Sequence, residues 1–432
     1  MHSVEEPKNY NNPKTKTITD MTNRVVVTGL SGITPIGNDL QQSWTNLLNG
    51  ESGVGRITRF DCSEFATKIA AEVKDLDVNA YMSFKQAKRM DRFCHFAVAA
   101  AHMLMEHAGL AQKNLGPECG VILGCGLGGL ETIETFHSKL LKTGPKKISP
   151  FYIPLLISNM ASGQISIITG AKGPNLATTS ACASGTHAIG YAFSEIKLGR
   201  VQAMITGGVE STITPMAVSG FNAMRALSTR NNEPEKASRP FERDRDGFII
   251  GEGCGLLMLE SLESAQKRGA QIFAEVTGFG ASADAFHMTA PEETGEGMSL
   301  AMKGALRESG TAPEEIDHIN AHGTSTHLND LCETRAIKKV FGEHSQNLSL
   351  TANKSMIGHT LGAAGGIESV FSVMSLQEGI VPGTINMDNP DPECDLDYTA
   401  GKPRKQSLTY ALCNSFGFGG TNASILFKQF KN

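Results

Sequence analysis

Short apolar runs alternate with longer amphipathic stretches along almost the whole chain. Arg24-Val25-Val26-Val27-Thr28-Gly29 is a continuous apolar run closed by a turn residue, the pattern of a strand covered on both faces. Asp39 is placed to cap a helix through Leu48, which Asn49-Gly50 stops. The alanine-rich stretch Phe93–His107 predicts a helix ended by Gly109, and Val121–Gly124 predicts a short strand running into Gly126-Leu127-Gly128-Gly129. Helices are expected over Ser158–Thr169, closed by Gly170, and Ala183–Leu198, closed by Gly199. Strands are expected at Leu176–Thr179 and Ala203–Thr206. Thr229–Asp246 is densely charged and contains Pro234 and Pro240, so it predicts a long surface loop. Phe248–Leu259 predicts a strand broken by glycines, and Ser261–Arg268 a helix.

After Gly269 the alternation restarts. Strands are expected at Ile272–Val276, His318–Ala321 and Leu348–Ala352, and helices at Met298–Glu308, Asp330–Phe341 and Ile367–Gln377. Two strands joined by Phe416-Gly417-Phe418-Gly419-Gly420 fill Leu408–Phe427. Strands alternating with helices predict a layered α/β architecture. The rhythm is compatible with two similar halves. The expected organisation is a polar, disordered leader over residues 1–22, one half over 23–270 and a second over 271–432.

Composition narrows the class. A chain of 432 residues with 40% hydrophobic and 19% charged residues is an ordinary folded protein. A formal charge of -5 disfavours a nucleic-acid binder. Nine cysteines without a CxxC pair argue for a reducing, cytoplasmic setting and against a disulfide framework. No apolar run approaches the ~20 residues that cross a bilayer, so no membrane role is expected.

Three distant islands carry candidate chemistry. The first, Ala177-Thr178-Thr179-Ser180-Ala181-Cys182-Ala183-Ser184-Gly185, sets a cysteine among small residues at an expected strand-to-helix turn. A helix N-terminus there would favour the thiolate. The second, Asn320-Ala321-His322-Gly323-Thr324-Ser325-Thr326, puts a histidine at a strand end. The third holds Lys354 and His359 in Asn353-Lys354-Ser355-Met356-Ile357-Gly358-His359 and continues into Gly365-Gly366-Ile367-Glu368. One cysteine with two histidines suits a thiolate nucleophile and two hydrogen-bond donors. A buried lysine needs a partner, and Glu368 is the candidate. Taken singly, each histidine reads more readily as a capping or satisfied core residue. A zinc site from His322, His327, Asp330, Cys332 and Glu333 matches no usual ligand spacing, so no metal is expected. Gly126-Leu127-Gly128-Gly129 is too short for a dinucleotide fingerprint.

Together with Ser228-Thr229-Arg230, Arg243-Asp244-Arg245-Asp246-Gly247-Phe248 and Asn414-Ser415-Phe416-Gly417-Phe418-Gly419-Gly420-Thr421-Asn422, these islands resemble the elongating β-ketoacyl-acyl-carrier-protein synthases, in their type II branch. The resemblance runs from about Arg24 to Phe427. It implies a thiolase-like fold, a five-layered αβαβα sandwich of two duplicated halves, paired as a homodimer. It implies decarboxylative condensation of acyl- with malonyl-carrier protein in fatty-acid elongation. Cys182 would accept the acyl group, His322 and His359 would promote decarboxylation, and Lys354 with Glu368 would hold the histidine network. Phe418 would gate the site, and its backbone N–H would join that of Cys182 in an oxyanion hole. Leu127 and Phe221 would line the acyl pocket, and Thr324 and Thr326 would hold the phosphopantetheine arm. Lys85, Lys88, Arg89 and Arg225 would greet the acidic carrier protein. No cofactor is implied beyond the phosphopantetheine that the carrier brings. Other readings are a specialised polyketide or aryl-polyene ketosynthase and a non-catalytic chain-length partner; the intact Cys182, His322 and His359 argue against the last.

Overall fold

The structure, a computed structural model, describes residues 22–111 and 114–431. The expected leader lies outside the described residues except for Thr22. Ten strands form one mixed sheet. The first half supplies β1 (Val25–Ile33), β2 (Cys119–Gly124), β3 (Asn175–Thr178), β4 (Ala203–Glu210) and β5 (Gly253–Ser261). The second supplies β6 (Ala274–Ala283), β7 (His318–Asn320), β8 (Ser349–Thr351), β9 (Tyr410–Gly417) and β10 (Thr421–Gln429). Across the sheet the order is β3-β2-β4-β5-β1-β6-β10-β9-β7-β8.

The order shows a duplication. In the first half β2 pairs parallel with β3 and β4, β4 antiparallel with β5, and β5 antiparallel with β1. In the second half β7 pairs parallel with β8 and β9, β9 antiparallel with β10, and β10 antiparallel with β6. Each strand of the first half therefore has its counterpart five strands later. The halves meet where Val25, Val26 and Val27 of β1 pair with Val276, Glu275 and Ala274 of β6.

Helices fill three layers around these half-sheets. Helix α1 (Arg92–His107) covers the outer face of the first half. Helix α2 (Leu130–Thr143) stands outside that core, and α3 (Met160–Thr169) lies in it. Helix α4 (Ser184–Lys197) is central. Helices α5 (Glu296–Ser309) and α6 (His327–Phe341) cover the second half. Helix α7 (Ala364–Glu378) joins α4 in the centre, where Ile189, Phe193, Val370 and Val373 pack with strand residues from both halves. The result is the expected five-layered αβαβα sandwich.

The central layer is tight at its glycines. A Cβ on Gly185 of α4 would lie 2.7 Å from Gly366 N of α7, and one on Gly366 would lie 2.3 Å from Gly208 N of β4. Only glycine allows this approach, which brings the turn before α4 beside the turn before α7.

Two expectations fail on packing. Residues 229–236 run over the surface as expected, but the rest of the segment turns inward: Ser238, Arg239, Phe241, Glu242 and Arg245 are buried. Phe241 stacks on Tyr398 with ring centroids 3.8 Å apart, and the charges are paired internally, Arg239 with Glu242 and Arg245 with Asp330 and Asp391. The strand expected from Phe248 begins only at Gly253, because Ile250 leaves the sheet to bridge His359. Two longer helices escape the pattern, α2 and Pro215–Ala223, as do the short helices Phe84–Ala87, Tyr152–Leu156 and Lys354–Ile357.

Candidate active site

Strand β3 leads into a tight elbow. Ala181 sits at φ 50, in the left-handed region that a side chain with Cβ adopts only under constraint. Ser184 supplies the constraint: its hydroxyl accepts from Ser180 N at 2.9 Å and donates to Ala181 O at 2.6 Å. The elbow presents Cys182, 8% exposed, to a cavity of about 620 Å³ between the halves.

Two further turns deliver the histidines. Beyond β7, the N–H groups of His322 and Gly323 donate to the buried Glu333 carboxylate on α6 at 2.8 and 2.9 Å. His359 is fixed through its backbone: its N–H donates to Ile249 O at 2.6 Å, and its carbonyl accepts from Gly251 N at 2.9 Å. The imidazoles meet edge to face with centroids 5.3 Å apart. Ligand-type atoms of Cys182, His322 and His359 all lie within 4.8 Å of one another.

The ring nitrogens have defined roles. His322 Nδ1 faces the Lys354 ammonium at 3.4 Å, and His359 Nδ1 accepts from Leu361 N at 3.3 Å. With Nδ1 acting as acceptor in both rings, the neutral tautomer carries its proton on Nε2. His359 Nε2 is buried and has no partner among the described residues, so it is a donor kept free for a ligand. Burial, the Lys354 charge and the neighbouring His359 hold His322 well below the ordinary histidine value; burial and Lys354 do the same for His359. Both rings are therefore neutral donors at physiological pH.

Lys354 opens a short helix, Lys354–Ile357, and is fully buried. It donates to Glu368 Oε1 at 2.5 Å. Burial pushes the Glu368 carboxyl up to about 7 against the pull of Lys354. The expectation of a thiolate at the helix N-terminus is corrected here. Burial drives the Cys182 thiol up to about 11, outweighing Lys354 and the Phe418 and Cys182 backbone N–H groups, which favour the anion. Burial therefore favours the protonated thiol at neutral pH. Those two N–H groups face the sulfur and form a ready oxyanion cradle.

Leu127, Phe221, Thr324, Thr326, Arg225 and Phe418 all border the cavity. Phe221 packs edge-on against Phe248, which packs edge-on against His359. The Thr324 and Thr326 hydroxyls bond to each other at 2.8 Å. The weighed zinc cluster disperses: Asp330 accepts from Phe241 N and faces Arg245, Cys332 turns to Glu293 O, and Glu333 holds the His322 turn. The Lys354 ammonium beside His322 also opposes a cation between the histidines.

Residues 22–265 match the family described as beta-ketoacyl synthase, N-terminal domain, and residues 273–388 match beta-ketoacyl synthase, C-terminal domain. The chain belongs to the β-ketoacyl synthase family. It is 52% identical over 409 residues to 3-oxoacyl-[acyl-carrier-protein] synthase 2 of Synechocystis, covering 94% of this chain and 98% of that relative. Its fold superposes on a β-ketoacyl synthase from Burkholderia phymatum with a TM-score of 0.89 at 34% identity, over 95% of this chain and all of the other. A type II polyketide ketosynthase, solved with its acyl-carrier protein and a bound hexaketide, superposes with a TM-score of 0.86 at 32% identity, over 95% of this chain and all of the other.

Within this family site, Lys85, Lys88 and Arg89 stand apart from the cavity. They are exposed on and after the short helix Phe84–Ala87, with Lys88 over the Phe84 ring and Arg89 over Phe151. Only Arg225 of the four basic residues reaches the cavity mouth. Sequence reading missed two supporting acids. The motifs place Glu333 only beside possible metal ligands and leave Glu210 unmarked; both act through backbone N–H groups, Glu333 on a turn 10 and 11 residues away and Glu210 on turns 82 to 152 residues away.

Proposed function

We propose that this β-ketoacyl synthase condenses acyl-carrier protein with malonyl-carrier protein in fatty-acid elongation. The observation that carries the reading is the meeting of one cysteine with two neutral, Nε2–H-bearing histidines in a single largely apolar cavity. In the first half-reaction Cys182 Sγ forms a bond to the acyl carbon. The thioester to the carrier's phosphopantetheine thiol breaks, and that thiol leaves with the proton Cys182 gives up. In the second, malonyl thioester loses CO2, and its electron pair passes into an enolate whose oxygen accepts from His322 and His359 Nε2–H. The enolate carbon attacks the acyl-Cys182 carbonyl. The resulting oxyanion is held by the Cys182 and Phe418 N–H groups, and collapse releases 3-oxoacyl-carrier protein. The Cys182 thiolate then takes up a proton from solvent.

Neutral histidines suit this chemistry, since they donate to the enolate without being consumed as acids. Thr324 and Thr326 hold the pantetheine arm at the cavity wall. Lys85, Lys88, Arg89 and Arg225 dock the carrier, and no further cofactor takes part. The 52% identity to an elongating synthase favours this reading over a specialised polyketide role. Release of labelled CO2 from carboxyl-labelled malonyl-carrier protein together with 3-oxoacyl-carrier protein is the expected result, the 3-oxoacyl product being lost in Cys182→Ala. Product formed equally by that variant would overturn it.

The active unit is a homodimer in this reading. Edge strand β3 has no buried residue, whereas the opposite edge strand β8 is buried throughout, and Leu176 is left open on β3. An open edge calls for a second strand, and a second copy of β3 would continue the sheet. Leu176→Lys should convert the dimer to monomer in light scattering; an unchanged mass would remove this interface.

A further inference from the structure

Strand β4 ends in Glu210, whose carboxyl is fully buried. Its hydrogen-bond partners among the described residues are backbone N–H groups and one thiol. Oε2 accepts from Gly126 N at 2.7 Å and Gly362 N at 3.1 Å; Oε1 accepts from Leu127 N and Gly128 N, each at 3.2 Å, and from Cys125 Sγ at 3.6 Å. The successive N–H groups of residues 126–128 form a nest for an anion, and Glu210 is its occupant.

Two functional turns thus converge on one carboxylate. The first carries Leu127, which borders the acyl cavity. The second contains Gly362, three residues beyond His359. Both glycines sit in this approach: a Cβ on Gly126 would meet Glu210 Oε2 at 2.6 Å, and one on Gly362 would meet Gly126 N at 2.3 Å and Glu210 Oε2 at 2.7 Å. The same charge pushes the Cys182 thiol upward, so it acts within the nucleophile's field as well.

We propose that Glu210 is a positioning residue for chain-length selection, tying the Leu127 wall of the acyl cavity to the turn that follows His359. The proposal rests on the reading of Cys182 as the acyl acceptor. A carboxylate is required because four N–H groups need acceptors on both oxygens. Glutamine would offer one oxygen, and its amide N–H would face backbone N–H groups, leaving part of the nest unmet. The Leu127 wall would then yield to longer chains.

The test measures acylation of Cys182 by short- and long-chain acyl-carrier proteins, read by intact mass, beside iodoacetamide alkylation across pH. In Glu210→Gln the long-to-short rate ratio is expected to rise about tenfold, the size of effect that one methylene has in an apolar pocket. The alkylation midpoint is expected to fall, because a negative neighbour is gone. A second variant, Gly126→Ala, keeps the charge but pushes against Oε2. It should raise the ratio and leave the midpoint in place, and it decides the matter if Glu210→Gln does not fold. A ratio unchanged in the folded variants, with normal wild-type acylation, overturns the role of Glu210 alone. Wild type that acylates with neither chain length overturns the condensing function and this proposal with it.

Discussion

Removing Lys354 tests the electrostatic centre of the site. Lys354→Met leaves Glu368 buried without its cation. Breaking a buried pair from one side costs about 3–5 kcal/mol, because a charge stays desolvated without compensation. Glu368 can escape part of that by binding a proton, since its carboxyl already stands at about 7 against an ordinary 4.5. The sign follows. A raised carboxyl pKa means the folded chain binds more protons than the unfolded chain between these values, so stability falls as pH rises through the window. Without Lys354 the folded value climbs further. Lys354→Met should therefore regain stability when the pH is lowered from 8 to 5.5, more than wild type does. The double variant Lys354→Met/Glu368→Gln should be more stable at pH 8 than Lys354→Met by about 2 kcal/mol, within the range of coupled neighbours. Chemical denaturation of wild type, Lys354→Met, Glu368→Gln and the double variant at both pH values measures this. Turnover should stay lost in the double variant, because His322 Nδ1 has lost the ammonium that fixes its tautomer. Strictly additive stabilities, or turnover restored with stability, would refute the reasoning.

Three further outcomes follow from the same geometry. His359→Ala, and separately His322→Ala, should each slow malonyl decarboxylation roughly a hundredfold or more, the usual loss for one oxyanion donor, while Cys182 acylation persists in mass spectra. The Cys182 thiol stands at about 11 rather than the ordinary 9.0, so two pH units predict about a hundredfold less thiolate at pH 8 than in an ordinary cysteine. Iodoacetamide kinetics should show that deficit, and a midpoint near 9 would contradict it; because the pKa is raised, this thiol's contribution to stability is present below pH 9 and lost as pH climbs toward 11. Leu127→Ala should admit longer acyl chains, scored by the chain-length profile of the acyl-enzyme.

Elements with one strong apolar signature were legible from sequence. Strand β1 is buried throughout, and α1 buries Phe93, Phe96, Ala97, Ala100 and Leu104 against the first half, so both announce themselves. Helix α2 does not, because Thr132 is its one buried residue and Leu141 is 74% exposed. The helix Pro215–Ala223 carried a readable signal, Thr214 capping Ala217 N with Pro215 in the first turn. The second part of the charged segment, residues 237–245, misleads for a physical reason: its charges pair with partners as remote as Asp391, and sequence shows the charge without the partner. The same holds in the site. Cys182, His322 and His359 are visible because each stands on a small-residue turn. The protonation of that thiol is not, since burial by the whole fold sets it. Glu210 reaches Gly126 across 84 residues, a contact that exists only once the central layer has closed.

The most direct test of the account is a chase on the acyl-enzyme. Incubation with acyl-carrier protein should add one acyl mass to the chain, mapped to the peptide of Cys182. Addition of malonyl-carrier protein should then discharge it as 3-oxoacyl-carrier protein in wild type and leave it in place in the His322→Ala/His359→Ala double variant. An adduct on another cysteine, or discharge by the double variant at the wild-type rate, would contradict the central claim that Cys182 and the two neutral histidines perform the condensation.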